Sequence, residues 1–421
     1  MQMRFVALLS LIVGLTVAPN TIAEASGTCV AYVTNKEPDT VSVVDTTTNT
    51  ITDTIAVGAA PDGITLTPDG TAAYVANYES ETVSVIDTAT STVTDTIVVG
   101  AAPATVAFSP DGSTAYVTLN TPNRVVSIDT STATVVDTRS VGASPEGIAI
   151  TPDGSRAYVA NSGDDNVSVI DTATNTILTT IPTGDEPIGV AITPDGDTAY
   201  VTNFGGDSVT AIDTATNTLV DAAIPVGSEP VGVAITPDGT SAYVTNNNAA
   251  SVSVIDTGTN TVSTTVAVGE SPDQIAVSAD GTSAYVANYD SDTVSVIDTG
   301  TNTESATISG FDGPFGVALG GCGTAELAAS VVGDGRTVSI DGVGFPANAV
   351  ATVALNSVTL GTATTDGSGQ LFGEFVVTDC TVLGGTLSAT AGDVAASTQI
   401  TLAPCGSPTP DPDVVVPRFT G

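Results

Sequence analysis

AYVANYDSDTVSVIDTGTNT, residues 284–303, decides the fold, because the chain carries seven copies of it with small changes. The tyrosine of its Tyr-Val pair falls at Tyr32, Tyr74, Tyr116, Tyr158, Tyr200, Tyr243 and Tyr285, every 42 residues except for one spacing of 43 before Tyr243. A period of this size marks a supersecondary unit that cannot bury its own faces and must stack on its neighbours. In the fourth unit, AYVAN (157–161), VSVID (167–171), ILTTIPTG (177–184) and IGVAITPDG (188–196) each read as a short strand between loop and turn signals. VSVID reads as a strand with alternating faces. Four antiparallel strands per period make one propeller blade, so the seven copies predict an all-β, seven-bladed β-propeller.

The ends of the repeat predict how the ring closes. The first unit begins at AYV with no GVAI-type strand before it, and the last ends at FGVALG (315–320) with no AYV strand after it. With the GVAI-type strand innermost, the last strand should complete the first blade. Cys29 and Cys322 stand at these two loose ends, and a Cys29–Cys322 disulfide is expected there in place of the missing turn.

Composition excludes several chemistries. Lysine and arginine total 7 against 46 aspartates and glutamates, a formal charge of -39, so nucleic acid and anionic lipid would be repelled. Two readings of this acidity stay open: adaptation to high salt, and the copying of turn aspartates in every unit. The chain has no histidine, which removes imidazole bases, Ser-His-Asp triads and His-ligated metals or haem.

The repeats resemble the YVTN family of β-propellers over about 290 residues. The signature YVTN or YVAN stands at Tyr32–Asn35, Tyr74–Asn77, Tyr158–Asn161, Tyr200–Asn203, Tyr243–Asn246 and Tyr285–Asn288, and the third unit departs with Leu119 at the Asn position. The VSVIDT element and the SPDG or TPDG turn also match. The resemblance implies a secreted or surface propeller, in a family that shares no single activity.

The remaining segments complete the expected organisation. Residues 1–25 read as a secretory signal, with Arg4, an apolar run from Phe5 to Val17 and a small-x-small site at 23–25. Residues 26–324 are the propeller. Residues 325–405 read as about seven short strands of an Ig-like β-sandwich, with Cys380 and Cys405 expected to pair. Residues 406–421 form a Pro-rich, disordered tail. The expected location is extracellular or at the cell surface, with no membrane insertion after signal cleavage and a monomeric propeller.

Comparing the seven units with one another separates scaffold from variable positions. Loops at one end repeat: Asp69, Asp111, Asp153, Asp195, Asp238 and Asp280 hold one set of turns, and Asp45, Asp87 and their equivalents begin the other. Loops at the other end vary. There the residue after the proline that opens each inner strand is Asp62, Ala104, Glu146, Ile188, Val231, Asp273 or Phe315, and these should ring the mouth of the central channel. With Tyr78, Glu79, Phe204, Tyr289 and Asp290 from the loops after YVAN, they form a candidate recognition face. Glu37, Asp39, Glu81 and Asp292 add to its acidity, but no contiguous calcium loop is present and no metal or cofactor is assigned.

Three functions follow as expectations. The first is a non-catalytic secreted or cell-surface module that binds or adheres to a cell-envelope glycan or protein through the variable loops. The second is a structural component of a surface layer. The third is an enzyme of lactonase-like or cofactor-binding type. The missing histidine, and Arg124 as the one arginine in the variable loops, count against catalysis, and Asp62, Glu146 and Asp273 are the residues that would carry it.

Overall fold

The computed structural model describes residues 30–320, apart from residue 221, and seven strands between residues 326 and 401. Residues 30–320 form seven antiparallel sheets, each one blade. The inner strands, numbered by blade, are Pro314–Leu319, Pro61–Leu66, Pro103–Phe108, Pro145–Ile150, Pro187–Ile192, Pro230–Ile235 and Pro272–Val277. Each inner strand contacts those of both neighbouring blades, so the seven form a closed ring. The ring closes as the strand inventory requires: Pro314–Leu319 pairs with Val30–Asn35, with Tyr32 opposite Ala318 and Val33 opposite Val317.

The hydrophobic core lies between blades rather than within them. In the AYVAN strand every residue after the first is buried, and in VSVID the four central residues are buried. VSVID therefore does not alternate between core and solvent: both of its faces are covered by adjacent blades. Its serine is tolerated because the asparagine of YVAN reaches it. Asn161 Nδ2 donates to Ser168 Oγ at 2.9 Å and to Asn166 Oδ1 at 2.8 Å, a pattern repeated at Asn35, Asn77, Asn203, Asn246 and Asn288. A buried polar group needs such partners, so the motif's asparagine and serine are one unit.

At Tyr32, Tyr158, Tyr200, Tyr243 and Tyr285 the repeat tyrosine ties its blade to the next. Tyr158 Oη donates to Asn217 Oδ1 at 2.6 Å and Tyr200 Oη to Asn260 Oδ1 at 2.6 Å. The same contact crosses the closing seam, from Tyr285 Oη to Asn49 Oδ1 at 3.4 Å. In blade 5, whose unit carries the extra residue, the outer strand is split into Thr218–Leu219 and Ile224–Pro225.

The seven C-terminal strands form two antiparallel sheets, one of three strands and one of four. Residues 1–29, 321–325 and 402–421 lie outside the described residues, and with them the expected signal, the tail and the Cys29–Cys322 pairing. Cys380 and Cys405 lie outside them as well.

Candidate functional site

The site is built where each inner strand begins. Inner strands approach so closely that a Cβ on Gly147 would stand 2.4 Å from the Ile188 carbonyl oxygen, and one on Gly189 2.4 Å from that of Val231. Gly63, Gly147, Gly189, Gly232 and Gly316 let their strands converge backbone to backbone just after the ring residue, and Thr105 and Gln274 take that place in the other two strands.

Two contacts from the preceding blade then fix the three acidic residues of this ring. The first is a threonine at the third position of YVTN. Thr34, Thr118 and Thr245 donate Oγ1 to the carbonyl oxygens of Asp62, Glu146 and Asp273 at 2.8, 2.6 and 2.6 Å. The second comes two residues later. Lys36 Nζ lies 2.5 Å from Asp62 Oδ1, Asn120 Nδ2 donates to Glu146 Oε1, and Asn247 Nδ2 donates to Asp273 Oδ1 at 3.2 Å.

These carboxyls are poorly hydrated. Asp62 and Asp273 are each 8% exposed and Glu146 is partly buried. Burial raises the Glu146 pKa to about 7, with the Asp62 charge adding to the rise and Lys36 and Asn120 opposing it. Asp273 is also pushed up to about 7 by burial. Lys36 opposes this, Asp62 adds to it, Asn247 opposes it, and Asp290 adds to it. Asp62 is raised by burial against the opposing pull of Lys36. Asp62 in blade 2 is two blades from Asp273 in blade 7 and two from Glu146 in blade 4, so the Lys36–Asp62 pair stands between the two other carboxyls.

The Lys36 ammonium also sits over the Phe315 ring, 3.5 Å from its centroid, and so bridges the closing strand and blade 2. Above it opens a cleft of about 450 Å³ lined by Lys36, Glu37, Asp39, Ala60, Asp62, Tyr78, Glu79 and Tyr289. Tyr289 Oη donates to Glu37 Oε1 at 3.1 Å across the blade 7 to blade 1 junction. Deeper, Asp62, Ala104, Glu146, Ile188, Val231 and Phe315 line the channel itself.

The structure thus gathers most of the residues expected from sequence. Asp62, Tyr78, Glu79 and Tyr289 share the outer cleft, and Glu146 and Phe315 share the channel with Asp62. Asp273 joins them through its electrostatic coupling to Lys36 and Asp62. Asp290 is exposed and accepts a hydrogen bond from Ser271. Phe204 is half-buried on blade 5 and lines neither cavity. Sequence reasoning passed over Lys36, Asn120 and Asn247, although Lys36 is the chain's single lysine. The signal was present in YVTNK, YVTLN and YVTNN, the units in which a threonine is followed two places on by an N–H donor. Among the described residues no group of three or more His, Cys, Asp or Glu is arranged to hold a metal ion.

Residues 5–144 match the model of a family described as YNCE-like beta-propeller. No curated protein matches the chain. Among solved structures, the chain is similar to Kuenenia stuttgartiensis hydrazine synthase, at 27% identity over 65% of this chain and 93% of that one, with a TM-score of 0.60. A protein of unknown function from Desulfotomaculum acetoxidans matches at 20% identity over 69% and 98%, TM-score 0.63. A candidate 6-phosphogluconolactonase from Bacteroides uniformis matches at 16% identity over 69% and 99%, TM-score 0.60. These last two likenesses establish the propeller fold alone.

The comparisons correct one expectation. The reading as a non-catalytic secreted or surface module for binding or adhesion does not stand: the solved structure reported at 27% identity is that of an enzyme, hydrazine synthase. From residue types alone the variable face reads as exposed recognition loops around a channel mouth. The ring beneath those loops instead holds buried carboxyls that titrate near neutrality, a property that residue types alone do not reveal.

Proposed function

We propose that this propeller is an enzyme whose channel mouth performs acid–base chemistry on an uncharged, hydroxyl-bearing small molecule, with hydrolysis of a sugar lactone as the reaction. The observation that carries this reading is the pair Glu146 and Asp273, both raised to about 7, with Glu146 lining the channel and Asp273 coupled to the Lys36–Asp62 pair beside it. A carboxyl poised near the working pH can both accept and return a proton. In the ionised form, one of them takes a proton from water as its oxygen attacks the lactone carbonyl carbon. The ring C–O bond then breaks, and the carboxyl returns that proton to the departing alkoxide. Lys36 supplies positive charge beside the developing oxyanion.

The neighbours' names suggest lactone chemistry, and the charge of this chain refines it. A phosphorylated lactone would meet Glu37, Asp39, Asp62 and Glu79 around a single ammonium, so an unphosphorylated substrate fits better. Two finer assignments support the same picture. The repeated YVTN or YVAN signature supports a YVTN-type propeller, and the three- and four-stranded C-terminal sheets support an Ig-like sandwich.

The test is turnover of glucono-δ-lactone by the purified protein, with the 6-phosphorylated lactone alongside. Glu146→Gln and Asp273→Asn should each lower kcat/KM by about 100-fold or more. Hydrolysis no faster than in buffer, or unchanged in both variants, would overturn the reading.

A further inference from the structure

The seven units differ at two coupled positions that lie 26 residues apart, or 27 in the unit with the extra residue, and in different blades. One follows the YV(T/A)N strand; the other is the channel-ring residue of the next blade. The pairs are Lys36 with Asp62, Tyr78 with Ala104, Asn120 with Glu146, Ser162 with Ile188, Phe204 with Val231, Asn247 with Asp273, and Tyr289 with Phe315. Every carboxylate is matched by a lysine or asparagine, and no apolar ring residue is. The three polar pairs are in direct contact. Each also carries the threonine, two residues before the donor, that grips the carboxylate residue's backbone.

We infer that Asn120 and Asn247 are positioning residues, each aiming the carboxyl of the following blade into the channel, and that the spacing forms an inter-blade pairing rule specifying which ring positions bear acids. As a statement of how the acids are held, it stands on geometry. As a statement about catalysis, it rests on the carboxyl reading above.

The physical basis is direct. A buried carboxyl without a fixed partner is free to rotate toward whichever donor or solvent it can reach. An amide N–H held by the turn just beyond a buried strand leaves it one orientation. Asn120 favours the ionised form of Glu146, and Asn247 does the same for Asp273. The charged groups acting on Glu146 are Asp62 and Lys36; those acting on Asp273 are Lys36, Asp62 and Asp290. Neither asparagine substitution removes any of them.

Carboxyl ¹³C NMR titration of the full chain tests the inference. Asn120→Ala should move the Glu146 midpoint upward by about half a pH unit or more and leave Asp273 in place. Asn247→Ala should do the reverse. The acidic limb of the kcat/KM profile, where the base loses its proton, should follow the affected carboxyl, whereas a general loss of stability would lower activity without shifting it. Unmoved midpoints in both variants would overturn the inference even if the enzyme turns over lactones. Selective shifts without any lactone turnover would keep the pairing and remove the proposed reaction.

A second arm builds a new pair. Ile188→Glu alone should lower Tm, and adding Ser162→Asn should recover about half of the loss or more. Additive effects of the two substitutions would count against the rule.

Discussion

Lys36 is the residue on which most of the site depends. It neutralises Asp62, covers Phe315, and holds down the pKa of both Glu146 and Asp273. Lys36→Met should leave Asp62 buried without its counter-charge. The expected loss is about 2–3 kcal/mol in urea unfolding, below the usual range for a buried pair because Lys36 is one-quarter exposed. The ring acids also set a pH dependence. Their folded pKa lies above the unfolded value, so the folded state binds protons more tightly, and stability should fall as pH rises from about 4.5 toward 7. The turn acids act oppositely. Hydrogen bonds from Ser109, Thr151, Thr193 and Thr236 lower Asp111, Asp153, Asp195 and Asp238, so their contribution is lost as pH drops below about 4. Tm measured from pH 3 to 8 should show both limbs, and Glu146→Gln with Asp273→Asn should flatten only the upper one.

At the scale of the strand, the signature YVAN is explained by a contact with the glycine two residues beyond the preceding outer strand. A Cβ on Gly142 would stand 2.6 Å from Asn161 Cγ, and Gly184, Gly227 and Gly269 meet Asn203, Asn246 and Asn288 in the same way. Gly142→Ala should therefore cost about 1–3 kcal/mol through overpacking, read by chemical denaturation. Asn161→Ala should cost a similar amount by leaving Ser168 unpaired. Blade 3 shows how the contact changes when the asparagine is absent. Leu119 fills the place, and Gly100 there adopts φ 114° with Leu119 Cδ1 3.3 Å from where its Cβ would stand. The strands themselves were readable because turn chemistry brackets them so regularly. What the sequence could not show was that serine in VSVID is as buried as its valines, since that follows from neighbouring blades.

For the whole molecule, period and missing end-strands were enough to predict both the blade number and the seam. The ring of acids was readable as positions, because the residue after each inner-strand proline has a fixed place. Its chemistry was not, because burial and the inter-blade donors depend on packing between residues 26 apart in neighbouring blades. The seam gives a further expectation. A chain ending at residue 313 keeps six complete blades and leaves Val30–Asn35 as an open edge. It should self-associate in size-exclusion chromatography, and a peptide spanning 314–320 should reverse that.

The same seam orders events during synthesis. Val30–Asn35 leaves the ribosome early, but its partner Pro314–Leu319 follows only after about 280 further residues. At translation rates of about 5–20 residues per second, that interval is roughly 15–60 s. Throughout it the first blade waits with its inner edge unpaired. A nascent chain of this protein therefore carries its greatest hazard at its oldest segment, and slowing elongation would lengthen that exposure.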